Sequence, residues 1–216
     1  MPRALNYAAL QVGTRELATL DPKLACVVAR LGTPPMFGRR PGFATLVKII
    51  LEQQVSLVAA RTLFLRLEKH MGGISPHSVA ALGVSGLREF GLTRQKSAYC
   101  HGLAQRILDG RLDLSLVASV DESLARAMLL ELPGIGPWTV DIYFLMALRR
   151  PDVWPQGDLA LASAMQEVLG MPRLPSRDEQ RAIAERWLPW RSIAARILWM
   201  HYLARPTAKA TAAKIV

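Results

Sequence analysis

The residues best suited to chemistry fall in two short stretches. Leu132-Pro-Gly-Ile-Gly-Pro137 sets two glycines between two prolines. Gly134 and Gly136 can take dihedral angles closed to other residues, so the chain can turn sharply between two helices. Gly136, Trp138 and Thr139 then offer backbone amides at the start of the second helix, where Pro137 loses nothing by lacking one. Such a helix start can hold a phosphate without any side-chain charge. The same spacing also makes a plain helix connection, and the fragment alone leaves both readings open. Farther on, Asp158 follows Gly157 and precedes Leu-Ala-Leu-Ala. A carboxylate there can stabilise positive charge as it forms on a substrate, and it can equally cap the helix that follows.

Other candidates are weaker by themselves. Trp138 and Trp199 read as core residues of helices, and Trp187 and Trp190 as packing residues. His70, His77, His101 and His201 lack the spacing of a ligand set. Cys26 and Cys100, the only cysteines, sit in apolar helical surroundings and read as buried thiols of a reducing compartment. Two cysteines cannot build an iron–sulfur cluster or a four-ligand zinc site.

Lys and Arg number 27 against 17 Asp and Glu, a formal charge of +10. The three cations from Arg205 onward do not carry this excess, so the basic body itself calls for a polyanionic partner. Nucleic acid ranks first and an anionic membrane second. With 51% apolar residues the chain is globular rather than disordered. No uncharged apolar run is long enough for a membrane span. The opening MPRALNYAALQVGTREL has no apolar stretch and carries Glu16, which argues against a secretory signal.

The elements that must position these residues read as helices. Apolar Leu20, Leu24, Val27, Val28 and Leu31 recur at helical steps, predicting a helix over 17–31. Residues up to Arg15 have no firm periodicity and leave room for a two-stranded piece. A long central helix is expected from Phe43 to Lys69, carrying Gln54 and Ser56, and a tight Gly72-Gly73 turn should end before Pro76. Short helices follow over 78–81 and 84–90, then a longer one from Thr93 to Leu108. Asp121 caps a helix reaching Leu130, and the hairpin leads into another from Trp138 to Leu148. After an irregular segment over 149–157, helices are predicted over 158–169, from Pro175-Ser176 to Leu188, and from Pro189 to Leu203. No segment alternates, so the fold class is all-α. Residues 206–216 read as a basic, mobile tail.

Four blocks, in order, carry a resemblance. They are Ile49-Ile-Leu-Glu-Gln-Gln-Val-Ser56, Leu132-Pro-Gly-Ile-Gly-Pro-Trp-Thr139, Asp152-Val-Trp-Pro-Gln-Gly-Asp158 and Glu185-Arg-Trp-Leu-Pro-Trp-Arg-Ser192. From about Leu20 to Leu203 the chain resembles the DNA-3-methyladenine glycosylase II family of the helix–hairpin–helix glycosylases. That resemblance implies a two-lobed all-α domain over 1–205 with the active cleft between lobes, one lobe from 15–42 plus 150–205 and the other from 43–149. It implies a monofunctional enzyme that flips damaged purines, 3-methyladenine among them, out of double-stranded DNA and hydrolyses the N-glycosidic bond.

By the same resemblance Asp158 is the catalytic aspartate. Trp138 and Trp199 line the base pocket, with Ile142 or neighbouring Tyr143 beside them, while Gln54 and Ser56, on the long helix, face the DNA near the flipped base or join a buried polar network. Gly134, Gly136, Trp138 and Thr139 contact phosphate; Ile74, in the exposed turn where a relative's wedge would stand, is the intercalating wedge or a plain turn residue. Carbonyls of Leu130, Leu132 and Gly134 hold a structural Na+ or K+, while no cofactor is required and no iron–sulfur cluster is expected. Relatives that also cut the backbone carry a lysine where this chain has Trp138. The implied protein is a monomer without a membrane, working in the cytoplasm or nucleoid, or in a nucleus. The rival readings are a hairpin module that grips DNA without chemistry and a glycosylase for other damaged bases.

Overall fold

The structure is a computed structural model and describes residues 4–205; the expected tail at 206–216 lies outside the described residues. The described chain contains helices and no strand. In order they are α1 (Tyr7–Leu20), α2 (Pro22–Leu31), α3 (Phe43–Glu52), α4 (Leu57–Met71), α5 (Pro76–Glu89), α6 (Arg94–Leu108), α7 (Leu114–Ser119), α8 (Glu122–Leu130), α9 (Pro137–Ile142), α10 (Leu159–Leu169), α11 (Arg177–Ala184) and α12 (Arg191–Leu203). A π-helical stretch, Tyr143–Ala147, continues α9, and a 3-10 turn, Glu185–Trp187, follows α11.

Helix starts follow their capping chemistry. Asn6, Asp21, Ser56, Ser75, Thr93, Asp113, Asp121, Asp158 and Ser176 each accept a backbone amide of the helix that follows. Each bond removes one of the amide donors that a helix start leaves unpaired.

Several expectations need correction. Residues 17–31 are not one helix, because Asp21 caps a new start with Pro22 in its first turn. The segment open to a two-stranded piece is α1. The long helix over 43–69 is broken at Gln53–Ser56: Gln54 has φ +56, and Ser56 caps α4 through the Ala59 amide. Gln54 and Ser56 therefore sit in a break rather than on a helix face. The helix expected from Trp138 to Leu148 passes into π geometry at Tyr143. The last helix begins at Arg191, not Pro189. Cys26 is exposed and only Cys100 is buried; burial pushes the Cys100 thiol up to about 12, against an opposing pull from Lys96. The short α7 was not anticipated.

The chain forms two compact units. The first runs from Arg39 to Tyr143. Its centre is α3, whose Leu46, Ile49, Ile50 and Leu51 are buried and which packs against α4, α6 and α9. The second takes the chain up to Gly38 and from Phe144 onward. Its centre is α12, buried continuously from Ser192 to Trp199 and surrounded by α1, α2 and α10. Gly13 lets α1 approach α12 closely, since a Cβ there would run into Ile193 and Trp190.

Candidate functional site

In the second unit the site begins with the loop that delivers Asp158. Asp152 is fixed by Arg191, whose Nε and Nη2 lie 2.8 and 2.9 Å from its two oxygens. The Ser192 hydroxyl accepts from the Val153 amide at 2.9 Å and donates to its carbonyl at 3.2 Å. Gly157, at φ +77, turns the chain into α10. Asp158 then caps that helix with Oδ1, which accepts the Leu161 amide at 2.9 Å.

The same oxygen accepts the Trp199 indole N–H at 3.3 Å. Asp158 is half-buried, and Trp199 is buried with its ring edge-on to Phe37 at 6.3 Å. Two donors on one oxygen orient the carboxylate, and a carboxylate has roughly four lone-pair sites. Asp158 thus caps α10 and holds the Trp199 indole through one oxygen.

In the first unit the site is the hairpin between α8 and α9. Gly134 has φ +83, and a Cβ there would collide with the Tyr99 ring, so both conformation and space require glycine. The Gln53 side-chain amide donates to the Gly134 carbonyl at 2.9 Å and to Thr139 Oγ1 at 3.0 Å. Lys96 Nζ in turn donates to the carbonyls of Leu51 and Gln53 at 2.8 and 2.7 Å, closing the end of α3. Desolvation lowers the Lys96 ammonium from its usual range, against a smaller opposing effect of Cys100. Arg126 on α8 meets buried Asp141 on α9 at 2.7 Å, clamping the two arms of the hairpin. No side chain caps α9 at Gly136.

Other expected residues fall as follows. Trp138 is half-buried. Ile142 and Tyr143 are buried and present no surface to a base; the Tyr143 hydroxyl accepts the Gly42 amide at 3.0 Å, and burial raises its pKa. Gln54 and Ser56 are exposed at the α3–α4 break. Ile74 is half-buried in the turn at the other end of α4. The Leu132 carbonyl accepts the Ile135 amide and the Gly134 carbonyl accepts Gln53. Each retains a second lone pair, and backbone carbonyls such as those of Leu130, Leu132 and Gly134 are of the chemical type that Na+ or K+ takes. Trp187 and Trp190 are structural, their indoles donating to Asp21 and Glu16.

Sequence reasoning missed Gln53, Lys96, Phe37 and Tyr99. The polar run Glu52-Gln53-Gln54 after an apolar stretch was a signal for the break. Nothing local marked the other three.

Residues 47–190 match the HhH-GPD superfamily base excision DNA repair protein family. A Mycobacterium tuberculosis protein named "Probable bifunctional transcriptional activator/DNA repair enzyme AlkA" is 32% identical, over 86% of this chain and 41% of its own. A Bacillus subtilis "DNA-3-methyladenine glycosylase" is 27% identical, over 85% of this chain and 65% of its own. The chain thus spans less than two thirds of either curated relative. The Schizosaccharomyces pombe 3-methyladenine DNA glycosylase Mag1, solved with abasic DNA, shares the fold with a TM-score of 0.81 at 22% identity, over 87% of this chain and 94% of its own. The family match covers the α3–α4 break, the hairpin and Asp158 alike, and the chain belongs to the HhH-GPD superfamily of base excision DNA repair proteins.

Proposed function

We propose that this protein is a DNA glycosylase that removes alkylated purines such as 3-methyladenine from double-stranded DNA, acting as a monomer. The observation that carries this reading is Asp158, half-buried at the start of α10 with its carboxylate oriented by the Trp199 indole. As the glycosidic bond stretches, positive charge gathers on the sugar, and a fixed carboxylate stabilises it as it forms. At ~4 Å and an effective dielectric near 20 the attraction is about 4 kcal/mol, roughly a thousandfold in rate. An alkylated purine is already cationic and leaves readily, so a strong general acid for the leaving group is not essential. The Trp199 ring beside Asp158 favours an electron-poor base by stacking and cation–π attraction.

The hairpin supplies the grip on phosphate, through amides at Gly136, Trp138 and Thr139. A Na+ or K+ on the carbonyls of Leu130, Leu132 and Gly134 would add positive charge on that side of the turn. The gap left by the flipped nucleotide is filled from the α3–α4 break rather than by Ile74. Val55 and Leu57 are exposed apolar residues there, next to Gln53 and hence next to the hairpin. Ile74 stands beyond the far end of α4, a 15-residue helix about 22 Å long. With Trp138 at the position of the lyase lysine, the product is an intact abasic site.

The test is base release from duplexes that each carry one lesion: 3-methyladenine, 7-methylguanine, hypoxanthine, ethenoadenine or 8-oxoguanine. Wild type should release alkylated purines, and Asp158→Asn should bind the same duplexes while losing most excision. Undiminished release by that variant, or release confined to 8-oxoguanine, would overturn the proposal. Borohydride trapping of a covalent protein–DNA adduct would refute the intact abasic product.

A further inference from the structure

One face of α12 carries Ser192, Arg196 and Trp199, spaced four and then three residues apart. Arg196 is fully buried. Its guanidinium donates only to backbone: Nε to the Met36 carbonyl at 2.8 Å, Nη1 to Ser192 at 2.8 Å and Nη2 to Leu145 at 2.7 Å. Burial lowers the guanidinium to about 10, with no carboxylate among the described residues raising it back. A buried cation without a counter-charge is a costly choice where an apolar side chain would fill the space. What the planar fork offers, and an apolar chain does not, is a fixed junction of three backbone segments.

Two of those segments lead to the site. Met36 precedes Phe37, which holds φ +48, an uncommon conformation outside glycine. The Phe37 ring meets Trp199 edge-on, and the Trp199 indole reaches Asp158 Oδ1. Leu145 lies in the π-helical stretch, so the same guanidinium ties that irregular turn to α12. One turn earlier Ser192 holds Val153, in the loop that delivers Asp158.

We propose that Arg196 is a positioning residue for excision: by pinning Met36 it sets Phe37 against Trp199, and so fixes the indole that orients the Asp158 carboxylate. The inference rests on Asp158 being the carboxylate that acts on the sugar. It assigns Arg196 no contact with DNA or with the base.

The experiment is single-turnover excision from a 3-methyladenine duplex with protein in excess, for wild type, Arg196→Met, Arg196→Lys, Phe37→Leu and Trp199→Phe. Affinity for a duplex bearing a tetrahydrofuran abasic analogue, and thermal melting, are measured alongside. Both Arg196 variants should excise at least about tenfold more slowly, since ~1 Å of misplacement can cost about a hundredfold. Their affinity for the analogue should stay within about threefold, because the phosphate grip is elsewhere. Lysine should not rescue, as one ammonium cannot span three carbonyls. The double variant Arg196→Met/Trp199→Phe should be no slower than the slower single one.

Wild-type rates in both folded Arg196 variants, or losses that multiply in the double variant, overturn the inference. If Arg196→Met does not fold, Phe37→Leu carries the test with the guanidinium intact: it must slow excision while sparing affinity. A wild type that releases no alkylated base instead brings down the proposed function, and does so before any variant is compared.

Discussion

The Gln53 side chain spans the hairpin turn, its one amide group donating both to the Gly134 carbonyl and to Thr139 Oγ1. Gln53 is itself held from behind, where Lys96 takes its backbone carbonyl. The α3–α4 break and the hairpin are therefore a single fastened piece. Gln53→Leu leaves a half-buried carbonyl without this donor and should cost about 1–3 kcal/mol, or a few degrees of Tm at ~2–4 °C per kcal/mol. Gln53→Glu should be worse, because an ionised carboxylate has no hydrogen to give to the carbonyl. Thermal melting and binding to an undamaged duplex check this, and unchanged values in both variants would count against the fastening.

Substitution can separate the cap that Asp158 makes from the catalytic role proposed for it. Asparagine still caps a helix, whereas alanine does not, at a cost of about 0.5–2 kcal/mol. Asp158→Ala should therefore melt lower than wild type, and Asp158→Asn should melt close to it. Excision should be lost in both. Equal Tm for alanine and wild type would mean that the Leu161 amide bond adds no stability.

The helical fold was legible because apolar positions recur at helical steps, and because caps such as Asp121 and Thr93 stand where amides need them. The errors came from polar groups acting over long sequence distances. The break at Gln53–Ser56 is sealed by Lys96, more than forty residues away in sequence, and periodicity across an apolar run cannot register such a partner. Asp158 could be picked out by its resemblance block. Its orienting partner Trp199 and the Phe37 edge behind it depend on packing between α12 and the loop before α3. Asp21-Pro22 was a readable start signal for α2 that the apolar spacing of its neighbours overrode.

Glu179 gives the second unit a pH-dependent element at the start of α11. Arg173 pairs with both of its oxygens at 2.7 and 2.8 Å, and the Ser176 amide adds a third bond. The Arg173 hydrogen bonds foremost, then Ser176, hold the carboxyl at about 2. Because the folded value is depressed, the stabilisation is present above the ordinary value of 4.5 and fades as pH falls toward about 2. Melting curves of wild type and Glu179→Gln should differ at pH 7 and converge across that interval. The pair is exposed, so high salt should also narrow the gap at pH 7. A gap independent of both pH and salt would show that the pair is not its source.

Gly134 should be the least replaceable glycine of the hairpin. Alanine would meet a positive φ and the face of Tyr99 together. The left-handed conformation costs roughly 1–2 kcal/mol, and overpacking adds about 1–3 kcal/mol. Tyr99→Ala alone opens space beneath the turn and should cost stability in its own right. Combined with Gly134→Ala it removes the collision while leaving the backbone strain, so the double variant should be more stable than the sum of the two single losses allows. A double-mutant cycle on Tm measures this coupling, and strict additivity would mean that the ring yields freely. On the proposed phosphate grip, DNA affinity should follow the same order, because Tyr99 packs against the turn that leads into the α9 amides.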